Sequence, residues 1–334
     1  MHSGKRFGAR EFIIWTRRSI YALVILSAIP TVLYFLGWKF LSVPWQPIAI
    51  MGTAVAFIVG FKNNASYSRL WEARQIYGAI INDSRSFGYI LRDALLSKDS
   101  GKVKEMFLRH YAWLTALRFQ LREPRAWENM GTDQFDEYAK KYDIPERQTT
   151  LDEELKKYLS ESELQYIVSK KNRATQLIAS QSKVLSEAYE KGGINDFQWT
   201  QINQQLVKFT DNQGKAERIK NFPYPRNFSS ITTYLLLLFI VFVPFGLLKE
   251  FDKLGEGTSV EGWTLWFNIP FSLLVTWCFH TLDSVGEASV NPFEGSPNDV
   301  PITQISRTIE IDMRDMLDES DLPPAIAPKN NIVL

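Results

Sequence analysis

Four uncharged apolar runs, two near each end of the sequence, constrain this chain more than any other feature. They are Ser19 to Leu36, Trp45 to Phe61, Ile231 to Leu248 and Trp263 to Leu282. At about 1.5 Å per residue the first run just reaches across a hydrocarbon core of about 30 Å, whereas the second is shorter than a typical span. Lipid offers the backbone no hydrogen-bond partner, so runs of this kind span as helices that satisfy their own polar groups. Pro30 inside the first run is compatible with that, because membrane helices tolerate proline better than soluble ones. Gly52, Ala54, Ala56 and Gly60 in the second run are small enough to allow close helix approach. A signal peptide is the rival reading of the first run, since Arg17 and Arg18 precede it. No small-x-small cleavage site follows, and aromatic residues crowd the exit.

The slightly negative mean hydropathy of the whole chain conceals these runs, because a strongly charged middle offsets them. Across 334 residues the formal net charge is only +1, which lacks the basic excess of a nucleic-acid-binding protein. The flanking cations orient the spans. Lys5, Arg6, Arg10, Arg17 and Arg18 lie ahead of the first run, whereas the loop after it offers only Lys39. The loop from Lys249 to Gly262 holds Glu250, Asp252, Glu256 and Glu261 against Lys249 and Lys253. Positive residues favour the cytoplasmic side, so both termini and the long middle are expected inside a cell inner (plasma) membrane. The two short loops are then outside, as an even number of spans requires.

The layout expected is an N-terminal arm with spans one and two (residues 1–61), a helical cytoplasmic region (62–226), spans three and four (227–283) and a cytoplasmic C-terminal segment (284–334). In the middle, Val103, Met106, Phe107, His110, Leu114, Leu117 and Leu121 recur at three- and four-residue intervals, one stripe of an amphipathic helix ended by Pro124. Ile178 to Tyr189 and Phe197 to Phe209 repeat the pattern on either side of Gly192 and Gly193, and Glu128 to Glu163 reads as short helices and loops. Pro323, Pro324 and Pro328 predict an extended tail. The second span has no turn signal at its end. From Gly52 past Gly78 the pattern stays helical and free of proline, so one helix is expected to leave the membrane and continue.

Enzyme chemistry finds no support. There is no glycine-rich phosphate loop, no GxSxG and no HExxH. His2, His110 and His280 have no partners at metal-ligand spacing, and the one cysteine, Cys278, excludes an intrachain disulfide. No cofactor is implied. The acid pairs Glu153-Glu154 and Asp318-Glu319 read as solvated surface charges.

The informative constellation is Thr53, Phe57 and Phe61, spaced i, i+4, i+8, which stack on one helix face over about 12 Å. One account is lipid-facing or interhelical packing. The other is an oligomer whose axis this face lines, giving a ring of phenylalanines that gates by dewetting. Asn63, Asn64 and Ser66 follow and place polar groups where such a pore widens into water.

Together these residues resemble the bestrophin family of ion channels, in its bacterial branch. The resemblance covers most of the chain and rests on Gly60-Phe61, on Ser68-Arg69-Leu70-Trp71-Glu72, on Asn221-Phe222-Pro223-Tyr224-Pro225 ahead of the third span, and on Asn291-Pro292-Phe293 after the fourth. It implies an all-α membrane protein, a homopentamer that conducts small inorganic ions. The neck would be lined by Thr53, Phe57 and Phe61, with Asn63 and Asn64 as adjacent polar groups, and Tyr224 would form a cytoplasmic aperture. Animal members would imply chloride, and bacterial members also sodium or potassium. Thr53 departs from the apolar residue common there. The stretch Glu294 to Asp299 has two acids and a proline where animal members bind calcium, so that site is not carried over. Beside the lipid and the other subunits no further partner is implied. A four-span transporter and a membrane-anchored interaction protein are the competing classes. A transporter usually carries ionisable residues or broken helices at mid-membrane, where only His280 and Asp283 come near.

Overall fold

The computed structural model of the chain describes residues 1–95, 99–129 and 141–334. Among them the regular structure is helical, with two isolated β-bridges, His2 to Ile332 and Lys329 to Ile332. The helices in chain order are α1 (Ala9–Phe35), α2 (Trp45–Leu95), α3 (Ser100–Arg122), α4 (Pro145–Gln148), α5 (Leu151–Leu155), α6 (Glu161–Val168), α7 (Arg173–Glu190), α8 (Asp196–Asn221), α9 (Arg226–Leu254), α10 (Asn268–Glu287) and α11 (Ile302–Asp315). The all-α expectation therefore holds, and the four stretches long and apolar enough to cross a membrane contain α1, α2, α9 and α10. Of the expected short helices between Glu128 and Glu163, residues 130–140 lie outside the described residues.

The chain forms two compact units. The apolar unit comprises Gly4–Ser68 and Tyr224–Val290, and the charged unit comprises Met1–Ser3, Arg69–Pro223 and Asn291–Leu334. Helix α2 is unbroken, as the missing turn signal predicts, and contributes residues 45–68 to the first and 69–95 to the second.

In the apolar unit, α1 packs on α9 and α10, and α9 packs on α10. Leu23, Ile48, Val55, Val59, Leu236, Phe239, Ile240 and Val243 form its core. Lipid tails are as apolar as these side chains, so close packing and polar contacts must hold the helices together. Both are present. Gly52 and Gly246 receive the side chains of Phe239 and of Ile48 with Trp45, with no room for a Cβ at either. The fully buried Asn268 donates to the Thr31 hydroxyl at 2.8 Å and to the Pro244 carbonyl at 3.1 Å, and its own oxygen accepts from Ser272 at 2.8 Å. One asparagine thus ties α1, α9 and α10 and leaves none of its polar atoms idle.

In the charged unit, α3 starts on Asp99, whose side chain accepts from the Lys102 amide at 2.9 Å, and it stops before Pro124. The sequence shows one apolar stripe on this helix, but α5, α7, α8 and α11 pack around it, so Ala112, Trp113 and Ala116 are buried as well. His110 sits beside Phe87, Trp113 and Phe209, with Ser84 at 2.9 Å from its Nε2. Burial pushes its pKa down to about 3, so the ring is neutral. The tail after α11 is extended, yet Ile332 and Leu334 are buried against Tyr142 and Ile144.

Candidate pore-lining face of the second helix

Helix α2 divides its residues between two faces. Ile48, Gly52, Val55, Val59, Lys62 and Ser66 recur every three or four residues and are buried. On an ideal helix the sequence-predicted neck residues lie about 180° away from that face. There Thr53, Phe57, Phe61 and Asn64 are exposed, Phe57 by 64% and Phe61 by 69%. The two phenylalanine rings lie 6.4 Å apart, centroid to centroid, so they form one continuous aromatic surface. The Thr53 hydroxyl donates to the Ala49 carbonyl at 3.1 Å, one turn back. Its proton is already committed to the helix, although its lone pairs are not.

The two asparagines part company. Asn64 shares the exposed face, whereas Asn63 donates to the Leu282 carbonyl of α10 at 2.9 Å. Ser66 lies on the packed face. Tyr224 is half-buried in the short connection between α8 and α9, its ring 6.4 Å from that of Phe228. Within the charged unit, the chain leading to that connection is anchored. Buried Lys220 pairs with buried Glu128, and Asn221 accepts from Arg125 at 3.3 Å.

The loop after Asn-Pro-Phe is closed by its own acids. Asp299 accepts from the amides of Gly295 at 2.7 Å and Ser296 at 3.0 Å, and from the Ser296 hydroxyl at 2.5 Å. Gly295 takes a φ of +102°, open to glycine, and packs on Ile144. Glu294 is buried and accepts from the Asn129 amide at 2.9 Å. Arg122 reaches Asp299 at 3.4 Å and donates to the Phe293 carbonyl at 2.9 Å. Burial raises the pKa of both acids. No group of three or more potential metal ligands occurs among the described residues.

Two residues escaped the sequence reading. Lys62, directly after an apolar run, is 2% exposed and pairs with Asp283 at 2.9 Å and Glu287 at 2.8 Å. Its place in the series Val55, Val59, Lys62, Ser66 was the available signal. Glu154 is not a solvated charge either. It is buried against Arg118 at 3.2 Å, in an ion-pair group that also holds Glu146.

These features define the class: a multi-pass, all-helical membrane protein with an exposed aromatic face on its second span. A family profile described as Bacterial/Fungal Bestrophin protein matches residues 13–315, and the chain belongs to that family. Among its relatives are proteins named "Voltage-dependent anion channel-forming protein YneE". The one from Escherichia coli (strain K12) is 27% identical over 318 residues, covering 94% of this chain and 89% of the relative. The one from Salmonella typhi is 28% identical over 295 residues, covering 88% and 82%. A solved structure of a bacterial Bestrophin homolog from Klebsiella pneumoniae shares the fold, with a TM-score of 0.75 at 21% identity, covering 90% of this chain and 98% of that one.

Proposed function

We propose that this chain is the subunit of a pentameric ion channel in the cell inner membrane, with both termini cytoplasmic. Five copies of α2 surround the axis, and Thr53, Phe57 and Phe61 form the neck. The observation that carries this reading is the α2 surface itself. Two large aromatic side chains are exposed side by side, opposite a face that is packed from Ile48 to Ser66. Tyr224 forms a second constriction towards the cytoplasm, in a vestibule that residues 62–226 surround. The four-part layout set out from the sequence is part of the same proposal. The conducted species are small monovalent ions. Chloride is the first candidate, because the relatives are named anion channel-forming proteins. Sodium and potassium are the alternative, since a neck of threonine and phenylalanine holds no charge of its own.

In such a neck a water-filled path is costly, because an ion sheds hydration and meets no polar partner. Phe57→Ala and Phe61→Ala are expected to widen and wet it, raising unitary conductance or open probability of purified protein in planar bilayers. Tyr224→Ala is expected to change conductance or ion preference more than gating, since its hydroxyl can hydrogen-bond a hydrated ion. If the rings only pack, Phe57→Ala instead costs about 3–5 kcal/mol, as for a buried phenylalanine, and impairs assembly. Unaltered unitary currents in both phenylalanine variants, normalised to assembled protein, would sink the neck assignment.

A further inference from the structure

The angle at which α2 presents its aromatic face depends on what its opposite face rests on. Most contacts of its packed face are apolar: Gly52 against Phe239, Ile48 against Gly246, Val55 and Val59 in the common core. Such contacts are non-directional and tolerate rotation. The cytoplasmic end of the face differs. Lys62, adjacent in sequence to Phe61, is buried and bonds two carboxylates, Asp283 at 2.9 Å and Glu287 at 2.8 Å. These acids are i and i+4 on α10, so they share one helix face. Gly286 lies on the same face. A Cβ there would come within 2.0 Å of the Asn63 Oδ1, so any larger residue at 286 forces the Asn63 amide out of this position. Asn63 then donates to the Leu282 carbonyl at 2.9 Å.

We propose that Lys62 and Asn63, seated on the Asp283–Gly286–Glu287 face of α10, are positioning residues that fix the rotation of α2 and thereby hold Phe57 and Phe61 on the lining face. Turning α2 by one residue is about 100°. That turn removes the ammonium from both acids and leaves the buried Lys62 charge without its partners, where partner loss is strongly unfavourable. It also carries Phe61 towards the packed side and Val59 out of it. A buried ion pair that fixes register is the best-attested use of such groups. The functional consequence rests on the neck reading; the rotational lock does not.

The test reads rotation directly. In full-length protein with Cys278→Ser, single cysteines at Phe57, Phe61 and Val59 are reacted with a water-soluble methanethiosulfonate. With Lys62 present, positions 57 and 61 are expected to react at least about tenfold faster than 59, because a packed interior excludes the reagent. Lys62→Met is expected to invert this order: 59 gains while 57 and 61 lose. The swap Lys62→Asp with Asp283→Lys restores it. Gly286→Ala keeps every charge but fills the seat of Asn63, and it is expected to act like Lys62→Met, which covers the case of a Lys62 variant that does not fold. An unchanged order in both variants, or all three positions accelerating together, overturns the lock, since general loosening is not rotation. Unitary currents of Phe57→Ala and Phe61→Ala decide the neck separately. The lock can fail with the neck intact; where the neck reading has failed and 57 and 61 face lipid, collision of dissolved oxygen with nitroxides attached in detergent at the three positions reads the same order.

Discussion

Glu294 is the residue whose chemistry the fold alters in the most testable way. Burial and the neighbouring Asp299 push its pKa up to about 8, although the Asn129 amide, which donates to its carboxyl at 2.9 Å, pulls the other way. Burial disfavours the charged form, and a neighbouring carboxylate does so again. The folded value lies above the ordinary 4.5, so the folded state binds this proton more tightly than the unfolded chain. The resulting stability is fully present below about 4.5 and is lost as pH rises through about 8. Glu294→Gln keeps an acceptor oxygen for Asn129 but cannot ionise. Between about pH 5 and 8, inside the interval from the ordinary to the folded value, the wild-type thermal midpoint should fall more steeply than that of the variant. Asp299 stands beside it and shifts when the Glu294 charge is lost, so the difference between the two curves belongs to the pair. Parallel curves by intrinsic fluorescence would show that Glu294 does not carry the pH dependence.

At the scale of elements, glycines distinguish close helix contacts from open ones. On α9 a Cβ at Gly246 would lie 2.4 Å from the Ile48 Cδ1 and 3.1 Å from the Trp45 ring, whereas at Gly214 on α8 nothing lies within 4 Å. Overpacking typically costs about 1–3 kcal/mol, so Gly246→Val should lower the thermal midpoint in detergent. Gly214→Ala should raise it, because glycine inside a helix costs about 0.5–1 kcal/mol relative to alanine. The opposite signs are the check; a fall in both would mean that Gly214 faces a neighbour that the isolated chain does not contain. Neither glycine's role is legible in the sequence, and the reason is general. Uncharged runs mark α1, α2, α9 and α10, and the absence of proline marks the continuation of α2, because these signals are local. The i, i+4, i+8 series likewise puts Thr53, Phe57 and Phe61 on one face, and the structure leaves that face exposed. What covers the other faces is decided by distant segments. Periodicity therefore found one stripe of α3 but not the helices that close over its remaining sides, and it could not foresee Glu154 buried against Arg118 or Asn63 turned to α10.

A channel needs closure at the scale of the whole assembly. One α2 face encloses nothing, so a conducting path along Phe57 and Phe61 requires a ring of copies, and a ring closes only if the rotation between neighbours does. Native mass measurement after gentle extraction is expected to give a pentamer, and monomers or dimers alone would count against the channel. The orientation of that ring can be tested independently in intact cells. In the proposed orientation the connection between α9 and α10 is outside and the charged unit inside. Glu256 and Asp152 are exposed members of these two regions. In a Cys278→Ser background, Glu256→Cys should react with a membrane-impermeant maleimide added to intact spheroplasts, and Asp152→Cys only after permeabilisation. The reverse pattern would invert the channel, put the Tyr224 constriction on the outer side and make the vestibule extracellular. Both sites reacting before permeabilisation would exclude any topology in which α9 carries the chain across the membrane between them.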